Sequence, residues 1–458
     1  MVLVVLAGCA TTSAPPQPAV AVPDAWREAP KPSEAAVSPD WWRAFDSAEL
    51  ADLIAAAFAG SPDLAAARER VSQAEAQVRV AGASLFPTLD LGITSVRRDT
   101  HPDQGPAINV DTTNAVLSAS YEIDLWGRLA SGVRAAESSL LASRYDLETA
   151  RLTLVSGVAT AYFDLLSLRD RLALARENVA TAERVLAVVE SRVRNGAATP
   201  LDLVRQRAAT VSQRAAIPPL ELQERQTLSA LAILVGRTPA GFDVTGRSVI
   251  ALDIPEIAPG LPADLLVRRP DVASAEAQLL AANASLAVAR AALLPSITLS
   301  GSVGLASGAL FAFGNPATII TAAAALAQPI FDGERRGAEV DGAAAREREL
   351  VETYRRAILA AFADVENALV AASRNAQQEV LQGEVRSEAQ EALRLAEVRY
   401  RAGADDLLVV LDAQRTLFQA QDQLAQARLA RLQTAVSTYR ALGGGWTLSQ
   451  DAPRVGAR

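Results

Sequence analysis

PDLAAARERVSQAEAQVRVAGASLFPTLDL, residues 62–91, aligns without a gap with PDVASAEAQLLAANASLAVARAALLPSITL, residues 270–299, at an offset of 208 positions. Twelve of the thirty pairs are identical. Many of these are alanine and weigh little, but the Pro-Asp opening and the Leu-x-Pro near the end keep the same register. The chain is a tandem duplication. Repetition is informative about architecture because one copy of a repeat often cannot bury its apolar face alone. Each copy follows the same plan: short helix, strand pair, very long helix, second long helix.

Working outward from these stretches, the prolines mark where helices run. There are 23, yet none lies between Ala107 and Thr199 or between Ile330 and Ala452. An internal proline removes a donor and clashes with the preceding turn, at about 3 kcal/mol, so both windows are free to be continuous helix. Heptad rows agree: Val133, Leu140, Leu147, Leu154, Ala161 and Leu168 form one, and Val158, Leu165, Leu172, Val179, Leu186 and Val193 another. Two rows sustained this long predict a coiled-coil seam. At ~1.5 Å per residue, a helix over Gly127–Arg194 is roughly 100 Å long. Each long helix closes on a glycine after two arginines, Arg192-Val-Arg-Asn-Gly196 and Arg399-Tyr-Arg-Ala-Gly403, which suits a C-cap and the negative end of the helix dipole. Return helices are predicted over Leu201–Ala216, broken by Pro218-Pro219 and resuming to Val235, and over Leu407–Leu442. Gly236–Pro262 reads as a compact connector.

Strand candidates are Leu89–Val96 and Ala115–Ile123 around a polar loop at Arg97–Thr113, and Ile297–Leu305 and Thr318–Phe331 around a Gly-rich loop with Phe311 and Phe313. Leu89, Leu91 and Ile93 alternate with Asp90 and Thr94, the pattern of a strand with one apolar and one polar face. The charge-free run Leu310–Phe331 falls short of a spanning helix, because Asn315, Pro316, Gln328 and Pro329 cut its apolar core below ~20 residues.

Composition narrows the function. Half the residues are hydrophobic but only 5% aromatic, the stock of alanine-rich helix seams. A net charge of −8 gives no footprint for nucleic acid. One cysteine and one histidine leave no disulfide framework and no Cys/His metal site. No phosphate loop, nucleophile elbow or dinucleotide fingerprint is present, so neither a cofactor nor catalytic residues are expected. His101 reads as a loop residue.

Four strands with an apolar face cannot stand alone. If that face meets lipid, the sheet must close, and since the smallest membrane barrels use eight strands, several chains must complete it. The start of the chain adds Leu6-Ala7-Gly8-Cys9, which resembles a bacterial lipobox and makes Cys9 the candidate lipidation site. Residues 1–8 then read as a signal peptide, short and without a basic n-region as a truncated one would be, and the Pro-rich stretch to Pro39 as a tether.

With Ser61-Pro62-Asp63-Leu64, Tyr121-Glu-Ile-Asp-Leu-Trp-Gly127, Arg268-Arg-Pro-Asp271, Leu294-Pro295, Gln328-Pro-Ile-Phe331 and Leu411-Asp-Ala-Gln-Arg415 in this order, the chain resembles the TolC-type outer-membrane efflux factors. It is most similar to the lipoprotein (OprM/NodT-like) branch of tripartite drug pumps. The resemblance implies a mainly α fold with a membrane β-barrel part, in which a homotrimer's chains give four strands each to a twelve-stranded barrel in outer-membrane lipid and their long helices to a periplasmic α-barrel. It further implies docking to a periplasmic adaptor (membrane fusion protein) and an inner-membrane RND transporter. The organisation it suggests is a tether over 9–48; repeat 1 over 49–236, with strand pair 86–124 and hairpin 125–236; an equatorial connector over 237–262; repeat 2 over 263–444, with strand pair 295–331 and hairpin 332–442; and a tail over 445–458.

Residue by residue, the resemblance makes Asp412 the gate carboxylate near the periplasmic entrance. Arg415, one turn on and on the same face, can pair with Asp412 or with a neighbouring helix, and Leu408 is the hydrophobic plug beside it. Arg192, Arg194, Gly196, Arg399, Arg401 and Gly403 become adaptor-docking tips, although arginines at helix ends are also ordinary dipole partners and Asp412 also fits a solvated coiled-coil face. A type I secretion channel for proteins shares the architecture and stays open. A coiled coil without a pore explains the heptads but not the strand pairs.

Overall fold

The computed structural model describes residues 16, 18–27, 37–260 and 262–446; Cys9, residues 1–8, residues 10–15, 17 and 28–36 of the tether, and residues 447–458 lie outside them. Two compact units form, one built on residues 70–144 and 274–356, the other on 20–69, 145–273 and 357–446 within the described range. Each draws the same pieces from both repeats.

The short helix expected in each copy is two helices. In repeat 1, α1 (Ala48–Gly60) breaks before α2 (Pro62–Ala83), and in repeat 2, α6 (Pro262–Arg268) breaks before α7 (Pro270–Ala291). The proline opening the second helix is the reason, since it supplies no N–H to the helix before it but suits a first helical turn. Ser61 and Arg269 occupy equivalent positions at these breaks and act differently. Ser61 is buried, its N–H donating to Ala57 O at 2.9 Å. Arg269 is buried with its guanidinium on Asp271 (2.6 and 3.0 Å), Asp364 (3.0 Å) and Ala441 O (3.3 Å). A glycine ending each return helix abuts the break: a Cβ on Gly236 would lie 2.0 Å from Gly60 O, and one on Gly443 2.0 Å from Arg268 O.

In the first unit, β1 (Thr88–Thr100), β2 (Ile108–Ile123), β3 (Ser296–Ser307) and β4 (Ala317–Ala327) pair antiparallel in the order β1-β2-β3-β4. The first pair runs further than predicted: Arg97–Thr100 and Ile108–Thr113 are strand, and Arg97 pairs with Asp111 at 2.8 Å across the ladder. Charges break the apolar alternation there but leave the backbone pairing intact. Conversely β4 stops before Gln328-Pro329, which ends the run short of Phe331. Odd-numbered residues of β1 share a face with their partners. Apolar rows on it include Leu89–Ala119–Gly301–Ala322, Leu91–Leu117–Val303–Ile320 and Ile93–Ala115–Leu305–Thr318, while the opposite face carries Asp90–Ser118–Ser302–Thr321. On the inner strands the apolar side chains of Leu117, Leu299, Val303 and Leu305 are exposed, left uncovered by this chain.

α3 (Arg128–Arg194) and α8 (Arg335–Ala402) are continuous helices of 67 and 68 residues. The first heptad row of α3 continues past Leu172 through the buried Ala182 and Val189, but the second shifts by one residue, with Asn178 and Val185 buried in place of Val179 and Leu186. A straight helix drifts ~20° per heptad, which moves the buried stripe to the neighbouring row. The first return is two helices, α4 (Pro200–Ala215) and α5 (Ile217–Leu234); the second is one, α9 (Leu407–Ala441). The break falls at Ala216, so that Pro218 lies in the first turn of α5, where its missing donor costs nothing.

In the second unit a core of Trp41, Phe45, Leu50, Ile54, Phe163, Leu231 and Leu432 brings together α1, α3, α5 and α9, with Trp41 stacked on Tyr439 at 4.8 Å. Connector residues 237–260 lie against it without regular structure. Arg169 of α3 holds them through Glu224 (3.0 Å), Asp243 (2.8 Å) and the carbonyls of Val244 (2.8 Å) and Gly246.

Candidate functional site

The two hairpin ends are built alike. Gly196 and Gly403 sit at φ +71° and +78°, the left-handed conformation that ends a helix at little cost only for glycine. Ala197 N–H donates to Arg192 O and Gly196 N–H to Val193 O, and Ala404 and Gly403 repeat the pattern on Arg399 and Tyr400; these are Schellman caps. The returning helices are capped in turn. Thr199 and Asp202 form a reciprocal box opening α4, and the hydrogen bonds from the backbone and hydroxyl of Thr199 hold the Asp202 carboxyl below its ordinary range. Asp406 accepts from Leu408 N–H at 2.8 Å to open α9.

Of the arginines expected at the tips, three are occupied within the chain. Arg192 lies 4.5 Å over the ring of Tyr400 and donates to its carbonyl, bringing the end of α3 to the end of α8. Arg399 grips Asp405 at 2.7 and 2.9 Å, and this bond depresses the carboxyl. Arg401 reaches Glu397 at 3.0 Å. Arg194 has no ion-pair partner among the described residues. Beneath the tips, Val185, Val189, Leu393, Tyr400, Leu407, Val410 and Phe418 form a separate small core.

Asp412 and Arg415 stand on the exposed side of α9, paired at 2.6 Å, with Leu408 half exposed one turn earlier. The opposite side of the same turns is buried through Val410, Gln414 and Leu417. The predicted trio is thus brought together on a face that this chain leaves uncovered.

Polar links that the linear pattern did not reveal tie α9 and the connector to the rest of the unit. Arg171 of α3 pairs with Asp422 at 2.6 Å, and Glu379 of α8 receives Arg428 and Arg431 at 3.1 and 2.7 Å. Gln433 donates to Asp164 at 2.6 Å; burial pushes the Asp164 carboxyl up, against that bond. Glu49 accepts from Thr245 Oγ1 (2.8 Å), Gly246 N–H (2.8 Å) and Tyr162 Oη (3.0 Å). Burial opposes its ionisation, yet the bonds from Thr245 and Gly246 outweigh it and hold the carboxyl low. One signal was available: Gln206 and Gln414 are equivalent at the 208-residue offset and both buried. Gln206 donates to Ala182 O at 3.0 Å, whereas the Nε2 of Gln414 finds no partner among the described residues.

The arrangement presents an apolar sheet, long helices and a charged turn, with no cluster among the described residues able to hold a metal ion. Comparison with known proteins places it. The family model for outer membrane efflux proteins matches residues 53–237 and 261–444. The pyoverdine export outer membrane protein OpmQ of Pseudomonas aeruginosa is 45% identical over 96% of this chain and 95% of that protein. The solvent efflux pump outer membrane protein SrpC of Pseudomonas putida is 34% identical over 98% of each. Among solved structures, the open state of the MtrE outer membrane channel of Neisseria gonorrhoeae superimposes with a TM-score of 0.84 at 30% identity, covering 94% of this chain and 97% of that one.

Proposed function

Because this chain belongs to the outer membrane efflux protein family and is an outer-membrane efflux channel, we propose that three copies of it form the exit duct of a tripartite pump. The observation that carries the proposal is the four-stranded sheet with an open apolar face and two unpaired edges, β1 and β4. In hydrocarbon each unpaired backbone group costs several kcal/mol, so β1 of one copy pairs with β4 of the next. Two copies would reach the eight-stranded minimum; three, the number implied by the family resemblance, give twelve strands and a wider lumen. The apolar rows support this. From Ile123–Ile297–Leu326 to Ile93–Ala115–Leu305–Thr318 there are five, which at ~3.4 Å per residue span about 27 Å along the strands. With a tilt of 35–45° the band is roughly 20 Å tall, close to the ~25 Å of outer-membrane barrels. Native mass spectrometry after detergent extraction should give three copies that conduct as single channels in a planar bilayer; a stable, silent monomer sinks the proposal.

The finer assignments follow from that assembly. Cys9 carries lipid on a tether, and residues 237–262 with the chain termini form an equatorial belt. The hairpin ends dock a periplasmic adaptor that joins the channel to an inner-membrane RND transporter. Asp412, Arg415 and Leu408 line the periplasmic gate, where three carboxylates around one axis attract cations. Gly196→Asp and Gly403→Asp should abolish efflux while trimers still reach the outer membrane; normal efflux in both removes docking from these ends. A diacylglyceryl adduct on Cys9, read by mass spectrometry of membrane-extracted protein, checks the anchor. The type I secretion reading is not favoured, since the relatives are efflux and export channels. The higher identity to a pyoverdine export channel favours a cargo of that kind, which secretion of the siderophore from a complemented deletion strain would test.

A further inference from the structure

The loop 308–316 leaves β3 and turns back across the sheet. Thr113 Oγ1 donates to Ala309 O at 2.7 Å, Ser307 Oγ to Gly314 O at 3.1 Å, and Phe311 N–H to Ser95 Oγ at 3.0 Å. The loop therefore crosses β2 and reaches β1. Ser95, Thr113 and Ser307 are register partners and form the row next to Ile93–Ala115–Leu305, on the apolar face. Thr113 and Ser307 are buried there.

Two features set this loop apart. Phe311 and Asn315 have left-handed backbones, at φ +54° and +49°, a conformation that asparagine visits but that crowds the Cβ of a phenylalanine against the following carbonyl. Phe311 is nonetheless 82% exposed, and Phe313 is exposed beside it, so packing within the chain does not hold the strained turn. Hydrogen bonds to Ser95, Thr113 and Ser307 tie it down instead. The loop covers a row of hydroxyls where the apolar band ends and presents two aromatic rings at the same level. Phe86, just before β1, and Phe331, after β4, are exposed at the other end of the strands. Membrane barrels carry a girdle of aromatic residues at each boundary between hydrocarbon and headgroup.

We propose that loop 308–316 is a membrane foot: it folds over the lipid side of the sheet, latched by Ser95 and Thr113, and inserts Phe311 and Phe313 at the acyl–headgroup boundary of the outer leaflet. This rests on the reading of the apolar face as lipid-facing, so the experiment separates the two. Phe311→Trp, Ile93→Trp and Thr94→Trp are reconstituted as full chains in phosphatidylcholine vesicles with brominated or plain acyl chains, and emission is compared with the parent and its five tryptophans. Brominated lipid should quench the Trp signal of Ile93→Trp and Phe311→Trp but not of Thr94→Trp, and adding Ser95→Ala should lower the quenching of Phe311→Trp alone. Quenching at Ile93→Trp with Phe311→Trp reached only by aqueous iodide overturns the foot and leaves the barrel face standing. No quenching at Ile93→Trp overturns both. Quenching at Phe311→Trp that ignores Ser95→Ala overturns the latch.

Discussion

Helices α3 and α8 differ by one residue in length and end in the same cap, yet the chain returns from them differently. After α3 it comes back as α4 and α5 with a break at Ala216; after α8 it comes back as one helix of 35 residues. Pro218 and Pro219 account for the break, and the proline-free stretch 407–441 for its absence. The difference lies in what each return connects. α9 contributes Leu407, Val410, Leu417 and Phe418 to the small core under the hairpin ends and Leu432, Ala435 and Val436 to the large core around Trp41. One rigid element therefore bridges both cores in repeat 2. In repeat 1 the buried apolar residues of α5, Leu228, Leu231 and Ala232, belong to the large core, while the two buried residues of α4 are Gln206 and Thr210. A displacement at the hairpin end is transmitted along α9 but can be absorbed at Ala216. The residues proposed for the gate lie on the unbroken helix: Asp412 has Val204 as its repeat-1 equivalent, so the carboxylate at that position belongs to one repeat only.

The largest effects are expected where the repeats match. Leu91 and its repeat-2 equivalent Leu299 both lie on the apolar face of the sheet, so Leu91→Arg and Leu299→Arg should each lower stability by about 2–4 kcal/mol near the bilayer midplane and less toward its edges, measured by unfolding from vesicles. Ser302→Arg on the other face should cost far less. Equal costs on both faces would break the equivalence at its base. Next come the interhelical breaks. Arg269→Ala strands two partly exposed carboxylates and should cost roughly 2–3 kcal/mol, below the 3–5 kcal/mol of a fully buried pair, whereas Ser61→Ala should cost about 1 kcal/mol or less; matched melting shifts would deny the asymmetry.

A functional contrast follows at the gate. Asp412→Ala should raise single-channel conductance or weaken block by divalent cations and admit large antibiotics such as vancomycin, while Val204→Ala should leave conductance unchanged. If both behave alike, the gate is not a property of repeat 2. The smallest effect tests the polar seam between α3 and α9. The Asp164 carboxyl is raised by burial, so its ionisation costs stability above the ordinary carboxylate range near 4, and this cost disappears at lower pH where both states are protonated. Asp164→Asn keeps an acceptor for Gln433 and should raise the melting temperature at pH 7 more than at pH 4. An equal shift at both values would trace the effect to packing.

The helices were legible because proline spacing and heptads are local signals, and the repeat made each appear twice. The strand ends at Arg97–Thr113 are not legible in the sequence because charges interrupt the apolar alternation there, although a ladder needs only backbone groups and the Arg97–Asp111 pair sits beyond the apolar band. The two-part short helices were signalled by Pro62 and Pro270 and still passed for one, since heptad counting does not weigh a single break. Arg169, Glu49 and Arg269 were out of reach, because their partners lie up to 197 positions away and carry no periodicity. Resemblance alone singles out Asp412, and Arg415 follows from its spacing one turn on; pattern by itself offers them only as a charged pair on a helix face.

The strand order has an ancestral consequence. A repeat-1 strand forms one edge of the sheet and a repeat-2 strand the other, and inside the sheet β2 meets β3 across the same boundary. In the proposed ring of three chains, each seam between copies joins the two repeats just as the seam within a copy does. The ring is six strand pairs in succession, all joined alike. A half-length ancestor with one strand pair would close the same circle as a hexamer, and fusion then freed one half of every chain to acquire the unbroken return and its charge without changing the wall in the membrane.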